Sequence, residues 1–367
     1  MVTVENLVKN FERNGINFYC GVPDSVLSKL IFYFDKYKTK KHLICANEGG
    51  AIGLGIGNYL SSGKLSCVYM QNSGLGNAIN PIVSIAHPKI YSIPMLLMIG
   101  WRGAPSIKDE PQHLKQGAIT KDLLKLLNIK YIELKDDKNL VKISSLLRYS
   151  KKNKKIVAIL IKKNTLKLKS KINLKIKKTD KVDRSLFIKK LILHTKKNFK
   201  IVSNTGYASR DLYRLRDNNT IDKDFYMIGG MGHAQMVSYG VANFSKKNII
   251  CLDGDGSLLM HLGSSPILGN YPKKNLKYIL LNNESHESVG GQNCISQKIN
   301  FKNLSNNFGF KKYILIQKHF EIEKKIKIFL KKKFNIFLEV RLNKFSYDNL
   351  PRIKNLKKIK KTFMENL

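Results

Sequence analysis

Two acidic and amide positions stand where apolar runs end. Gly254-Asp255-Gly256 follows IICLD, and Asn282-Asn283 follows LKYILL. Read as parallel strands, these runs deliver a carboxylate and an amide to one sheet edge, where open α/β sheets bind ligands. Such oxygens suit a hard divalent cation like Mg²⁺, which takes few protein ligands and completes its shell with phosphates. The glycines around Asp255 let backbone N–H groups come close to a diphosphate. Glu48, in Ala46-Asn47-Glu48-Gly49-Gly50, follows the run HLIC at a helix start. The helix dipole favours a carboxylate there, and taken alone Glu48 reads as a helix-end acid without chemistry. Neither Gly53-Leu54-Gly55-Ile56-Gly57 nor Gly74-Leu75-Gly76 has the third spaced glycine of a nicotinamide-binding fingerprint.

The elements that must position these residues alternate along the chain. VENLVKNF has helical spacing, NFYCGV reads as a strand, and Pro23-Asp24-Ser25 opens a helix. HLICA leads into a glycine-rich helix from Glu48. LSCVYMQ is a strand, followed by a loop at 72–76. IPMLLMIGW is a fully buried strand, followed by a loop holding Pro105, Asp109, Glu110, Pro111 and His113. A helix around Asp122–Leu127, a strand near Tyr131 and the strand KIVAILI close the first half. The second half restarts with the helix RSLFIKKLILHT and supplies the strands FKIVSN, FYMI, IICLDG, LKYILLNN, KYILI and NIFLEVRL. Strand–helix alternation in both halves predicts an α/β protein with two doubly wound parallel-sheet domains. We expect domains at 1–165 and 183–345, a Lys-rich linker at 166–182 and a basic tail at 346–367, partly disordered or surface-bound.

The chain has 367 residues and a net charge of +40, with 57 Lys and only nine Arg. A basic surface can release counterions from nucleic acid. Scattered lysines, with few of the arginines that bidentate readout favours, point instead to compositional drift. A positive field can still draw in an anionic substrate. No run of 18 apolar residues and no secretory leader pattern is present. Five cysteines without metal spacing suit reduced, mostly buried thiols in a cytoplasmic protein.

Gly254-Asp255-Gly256 followed after about two dozen residues by Asn282-Asn283 resembles the diphosphate- and metal-binding signature of thiamin diphosphate enzymes. The resemblance implies a pyrimidine-binding domain (1–165) and a diphosphate/Mg²⁺-binding domain (183–345) of the thiamin diphosphate-binding fold. It implies that Glu48 hydrogen-bonds the aminopyrimidine ring and promotes the reactive ylid. Ser73, Gly74, Gly230, Met231, Gly254, Asp255, Gly256, Ser257 and Asn283 become coenzyme contacts. Met231, in Ile228-Gly229-Gly230-Met231-Gly232-His233, would be the apolar wedge, and on spacing alone it reads equally as a core methionine. Mg²⁺ would be held by Asp255, Asn283 and the main-chain carbonyl of Ser285. A coenzyme held by two domains from different subunits implies a homodimer or tetramer.

The segments MQNSGLGNAINPI, IPMLLMIGWRG, KDEPQHLKQG and LNNESHESVGGQ look like phosphonopyruvate decarboxylases, and the likeness runs from Gly21 to Val340. Sulfopyruvate decarboxylases share Gln-Asn-Ser-Gly-Leu-Gly but differ after Trp101-Arg102-Gly103 and at His286-Glu287-Ser288. The implied reaction converts 3-phosphonopyruvate to phosphonoacetaldehyde and CO₂, in phosphonate biosynthesis. His113 and His286 are then candidate general acids, with ordinary pKa values near ~6.5. Arg102, Lys108 and Lys115 are candidates for the phosphonate, with Asp24 and Ser25 nearby. A sulfopyruvate decarboxylase, or a basic nucleic-acid-binding protein on the same fold, are the alternatives.

Overall fold

Strands that are apolar on both faces must lie between two layers of helices, and this chain builds two such sheets. The computed structural model describes residues 1–37, 40–169, 180–195, 198–216, 223–332, 334–344 and 350–367. It divides into two compact units, Met1–Leu174 and Lys175–Leu367.

The first unit runs β1 (Val2–Thr3), α1 (Val4–Arg13), β2 (Ile16–Gly21), α2 (Ser28–Phe34), β3 (His42–Ile44), α3 (Glu48–Ser62), β4 (Leu65–Gln71), α4 (Leu75–Pro81), β5 (Leu96–Gly100), α5 (Pro111–Leu126), β6 (Lys130–Leu134), α6 (Asn139–Asn153), β7 (Val157–Ile161) and β8 (Leu166–Lys167). Six strands pair in parallel in the order β3-β2-β4-β5-β7-β6. Alternation along the strands sorts side chains into two cores. Tyr19, Cys67, Tyr69, Met98 and Ile159 pack in one, and Cys20, Val68, Met70, Ile99 and Leu160 in the other.

The second unit runs α7 (Arg184–His194), β9 (Phe199–Ser203), α8 (Tyr207–Leu215), β10 (Phe225–Tyr226), α9 (Ala234–Phe244), β11 (Asn248–Gly254), α10 (Asp255–Met260), α11 (Ser264–Asn270), β12 (Leu276–Asn282), the hairpin β13 (Ser285–His286) and β14 (Gln292–Asn293), α12 (Phe301–Asn307), β15 (Lys312–Ile316), α13 (Ile322–Lys331), β16 (Ile336–Arg341) and α14 (Leu356–Glu365). Its six-stranded parallel sheet is ordered β10-β9-β11-β12-β16-β15, the same path as in the first unit. Strand order reverses between β2 and β4 and between β9 and β11. Those are the switch points where such sheets take ligands. The two doubly wound parallel sheets expected from the sequence are therefore the ones that form.

Three local expectations are corrected, and for the tail the structure selects one of the two alternatives. The loop expected at 72–76 is a 3₁₀ turn, Asn72–Gly74, running directly into α4. His113 is not on a loop. It lies in the first turn of α5, which Pro111 opens at a position where no N–H is needed. The linker expected at 166–182 begins as strand, because Leu166 and Lys167 pair with Val2 and Thr3, and Val182 bridges Leu342 at its other end. Residues 170–179 lie outside the described residues. The tail carries α14, whose Ile359 and Phe363 stand four residues apart on one face and are buried. The Phe363 ring lies 5.5 Å from that of Phe225. Lysines on the other face had hidden this apolar pair. No helix among the described residues is long and apolar enough to cross a membrane.

Candidate active site

In the first unit the carboxyl ends of β2, β3, β4 and β5 gather most of the residues expected there. Asn47 caps α3, its side chain accepting from Gly50 N at 3.2 Å, and this sets Glu48 in the first turn. Glu48 is buried, and Asn77 of α4 donates to its Oε2 at 2.8 Å. Gly74 makes room for it. A Cβ there would lie 2.5 Å from Glu48 Oε1 and 2.6 Å from its Cγ. The pairing of Glu48 with Gly74 was not visible in the sequence, and neither was Asn77.

A second set links the turn after β2 to the ends of β4 and β5. Ser73 Oγ donates to Gln71 Oε1 at 2.9 Å, and Gln71 Nε2 donates to Asp24 Oδ1 at 2.8 Å. Asp24 is fully buried. Burial raises its pKa, against the pull of Gln71 and the Arg102 charge. Arg102 donates through Nε to Asp109 Oδ2 at 2.7 Å and through Nη2 to Oδ1, and through Nη1 to Ser25 Oγ at 3.0 Å. Burial alone would raise the Asp109 carboxyl. The Arg102 guanidinium and the N–H groups of Gly103 and Glu110 outweigh it and hold Asp109 below the usual range. Arg102 is thus joined to Ser25, and its fork is committed to a carboxylate. Lys108 and Lys115 are exposed on either side of the start of α5. His113 is half-buried, and its main-chain N–H donates to Glu110 O at 2.9 Å.

In the second unit the expected residues meet at the carboxyl edge of β11 and β12. Asp255 opens α10 and is buried, with Oδ2 accepting from Ser296 Oγ. Burial pushes its pKa up to about 6, against the donors Ser296 and Gly256 N–H. Asn283 donates from Nδ2 to Glu287 Oε2 at 3.0 Å and accepts at Oδ1 from Ser285 N at 3.1 Å. Gly256 packs between Met231 and His286. A Cβ at Gly256 would lie 3.2 Å from both Met231 Cε and His286 Cε1. Ser257 Oγ accepts from Gly232 N at 3.0 Å, tying the Gly230–Gly232 turn to α10. Asn204, at the switch point, approaches Gly254. Its buried Oδ1 has no hydrogen-bond partner among the described residues. His286 differs from expectation. Burial lowers its pKa to about 4, from the ordinary value near ~6.5.

Asn204, Ser296 and the stacked pair His233 and His261, with centroids 4.6 Å apart, were not among the expected site residues, and Glu287 was singled out only with its segment. Each owes its place to packing across elements, for which a single sequence carries no period or motif. Among the described residues no three His, Cys, Asp or Glu side chains gather as metal ligands. The candidate set is of another kind: one carboxylate, one amide oxygen and one main-chain carbonyl. That all-oxygen set fits Mg²⁺, and a cation beside Asp255 would offset the burial that raises its pKa. The unpartnered Asn204 oxygen and the glycine-lined start of α10 leave polar capacity at the same edge.

Residues 1–126 match the thiamine pyrophosphate enzyme N-terminal TPP binding domain, and residues 201–340 match the C-terminal TPP binding domain. A phosphonopyruvate decarboxylase of Streptomyces viridochromogenes is 32% identical over 315 residues, spanning 82% of this chain and 78% of the relative. A sulfopyruvate decarboxylase of Methanosarcina acetivorans is 25% identical over 329 residues, 83% of this chain and 82% of the relative. The sulfopyruvate decarboxylase beta subunit of Methanocaldococcus jannaschii is 37% identical over 105 residues, 29% of this chain and 54% of that subunit.

Proposed function

From the premise that this chain belongs to the thiamin diphosphate-dependent decarboxylases related to phosphonopyruvate decarboxylase, we propose that it decarboxylates 3-phosphonopyruvate to phosphonoacetaldehyde and CO₂, with Mg²⁺, in phosphonate biosynthesis. The observation that carries the substrate is the 32% identity spread over 315 residues, against 25% over a similar span for the sulfopyruvate relative. The carbon nucleophile and the electron sink for loss of CO₂ are the chemistry that bound thiamin diphosphate supplies.

The chain's own groups orient, neutralise and move protons. Glu48, held by Asn77 and by the space at Gly74, would hydrogen-bond the aminopyrimidine ring of bound thiamin diphosphate and hold or release a proton at its own carboxylate. Asp255, Asn283 Oδ1 and the Ser285 carbonyl would hold Mg²⁺. In the second unit Gly254, Gly256 and Ser257 would take the diphosphate and Met231, with Gly230, would support the coenzyme; in the first unit Ser73 and Gly74 are the candidate coenzyme contacts. The phosphonate dianion is met by Lys108 and Lys115 and by the N–H groups that Arg102 keeps free of Asp109 and Ser25. Ser25 lines the approach to the substrate, with the buried Asp24 behind it. His113 is the candidate proton donor to the product carbon. His286, close to Met231 and Gly256 and with its pKa lowered by burial, is the second candidate for that proton transfer. Buried free thiols, four of the five cysteines, support a cytoplasmic setting, and the family resemblance is the ground for proposing a homodimer or tetramer.

Purified protein given thiamin diphosphate and Mg²⁺ should release CO₂ from phosphonopyruvate, followed by coupled detection of the aldehyde. Turnover of sulfopyruvate with none of phosphonopyruvate would replace this reading with the sulfo-analogue reaction, which the Methanosarcina acetivorans relative favours.

A further inference from the structure

An asparagine that binds a cation must present its oxygen, yet the two ends of an amide have nearly the same size and differ only in polarity. Asn283 is pinned at both ends by groups of opposite polarity. The Ser285 main-chain N–H can only donate, and Asn283 Oδ1 faces it at 3.1 Å. The Glu287 carboxylate, when ionised, can only accept, and Asn283 Nδ2 faces it at 3.0 Å. Flipping the amide would set oxygen against oxygen and N–H against N–H.

Glu287 is itself held. Arg184 Nη1 donates to the same Oε2 at 2.6 Å, and both side chains are only 5% exposed. Arg184 in turn donates through Nε to Asp211 Oδ2 at 3.2 Å, and the Tyr207 ring lies 5.3 Å from its guanidinium carbon. Asp211 is fully buried and also takes Ser185 Oγ at 2.6 Å and Arg214 Nη2 at 2.8 Å. Two arginines and two carboxylates therefore balance inside the second unit and tie α7 and α8 to the turn after β13. A buried ion cluster is weak evidence of stability, since apolar residues of the same volume often do as well. Its end point, the amide of a ligand residue, suggests what it specifies.

We infer that Glu287, clamped by Arg184, is a positioning residue that fixes the Asn283 amide with its oxygen toward the divalent cation. This rests on the reading of Asp255, Asn283 and Ser285 as the Mg²⁺ site. Groups that orient a ligand in this way set metal affinity as much as the ligands do.

The test is Mn²⁺ binding, as a spin probe for Mg²⁺, to the full-length protein with thiamin diphosphate, read by electron paramagnetic resonance with thermal melting alongside. Glu287→Leu removes the acceptor and should weaken Mn²⁺ binding about 10–100-fold. Glu287→Gln keeps an oxygen that can take both the Arg184 and Asn283 bonds, and should bind Mn²⁺ close to wild type. Wild-type-like affinity in Glu287→Leu, whatever its melting temperature, would overturn the clamp and leave the metal site standing. An equal loss in both variants would also overturn it, since charge and not orientation would then matter. If Glu287→Leu does not fold, Arg184→Gln loosens the clamp from its far end. It should weaken binding by a smaller factor, and unchanged affinity would sink the inference. Wild-type protein that takes up no Mn²⁺ with the coenzyme present would remove the metal reading first, and this inference with it.

Discussion

Glu48 is the residue on which most of the proposed chemistry turns, and its freedom is limited on two sides. Asn77 holds one oxygen at 2.8 Å, and the missing Cβ of Gly74 leaves room for the other. Glu48→Gln keeps the shape and loses the proton-carrying group. It should cost about 10²–10⁴-fold in kcat, with coenzyme binding retained by calorimetry; near-normal turnover would refute the role. Gly74→Ala is a subtler test. The Gly74 backbone is ordinary right-handed helix, φ −73°, so alanine fits the chain there, but its methyl group meets Glu48. Displacing the carboxylate should lower kcat about 10–100-fold while the melting temperature barely moves. Asp255, Asn283 and Glu48 were readable because each ends an apolar run beside glycine or asparagine. Asn77 and Glu287 lie in segments that the sequence singles out, and Asn204 ends the run FKIVSN, but what their side chains meet there is set only by folding.

At the scale of elements, β3 is an edge strand whose one buried polar side chain carries a pH dependence. His42 hydrogen-bonds the Tyr69 hydroxyl at 2.8 Å, and burial pushes its pKa down to about 4. The unfolded chain takes up the proton as pH falls through about 6.5, while the folded chain resists until about 4. Stability from this group is therefore complete above pH 6.5 and is lost on the way to pH 4, by roughly 3 kcal/mol. His42→Gln should flatten that part of the denaturation profile, and an unchanged profile would count against the assignment. Helix α14 makes the second claim. Phe363→Ala should destabilise the second unit by about 3 kcal/mol in urea titration. Lys360→Ala, on the exposed face, should change stability by no more than about 0.5 kcal/mol. Equal effects would mean the helix does not dock. The strands were legible because burial on both faces makes them continuous apolar runs. The helix at the tail was not, because two apolar side chains among lysines leave a weak period.

Over the whole molecule the net charge of +40 bears on how an anionic substrate arrives. A dianion steered by that field should show kcat/KM falling as ionic strength rises from about 0.01 to 0.15 M, where the Debye length shrinks from about 30 to 8 Å. The value of kcat should stay constant, and a flat kcat/KM would reduce the lysines to surface composition. The sequence by itself determined that there are two parallel α/β sheets and which residues stand at their carboxyl ends. Alternation, strand ends and glycine spacing are local, and they survive in a single chain. Only the tertiary structure decided how those residues are held and charged. It set the common strand path of the two sheets, the commitment of Arg102 to Asp109, the lowered pKa of His286 and the contact of Glu287 with Asn283 and Arg184. Each of these depends on burial or on how elements pack, which no local pattern encodes.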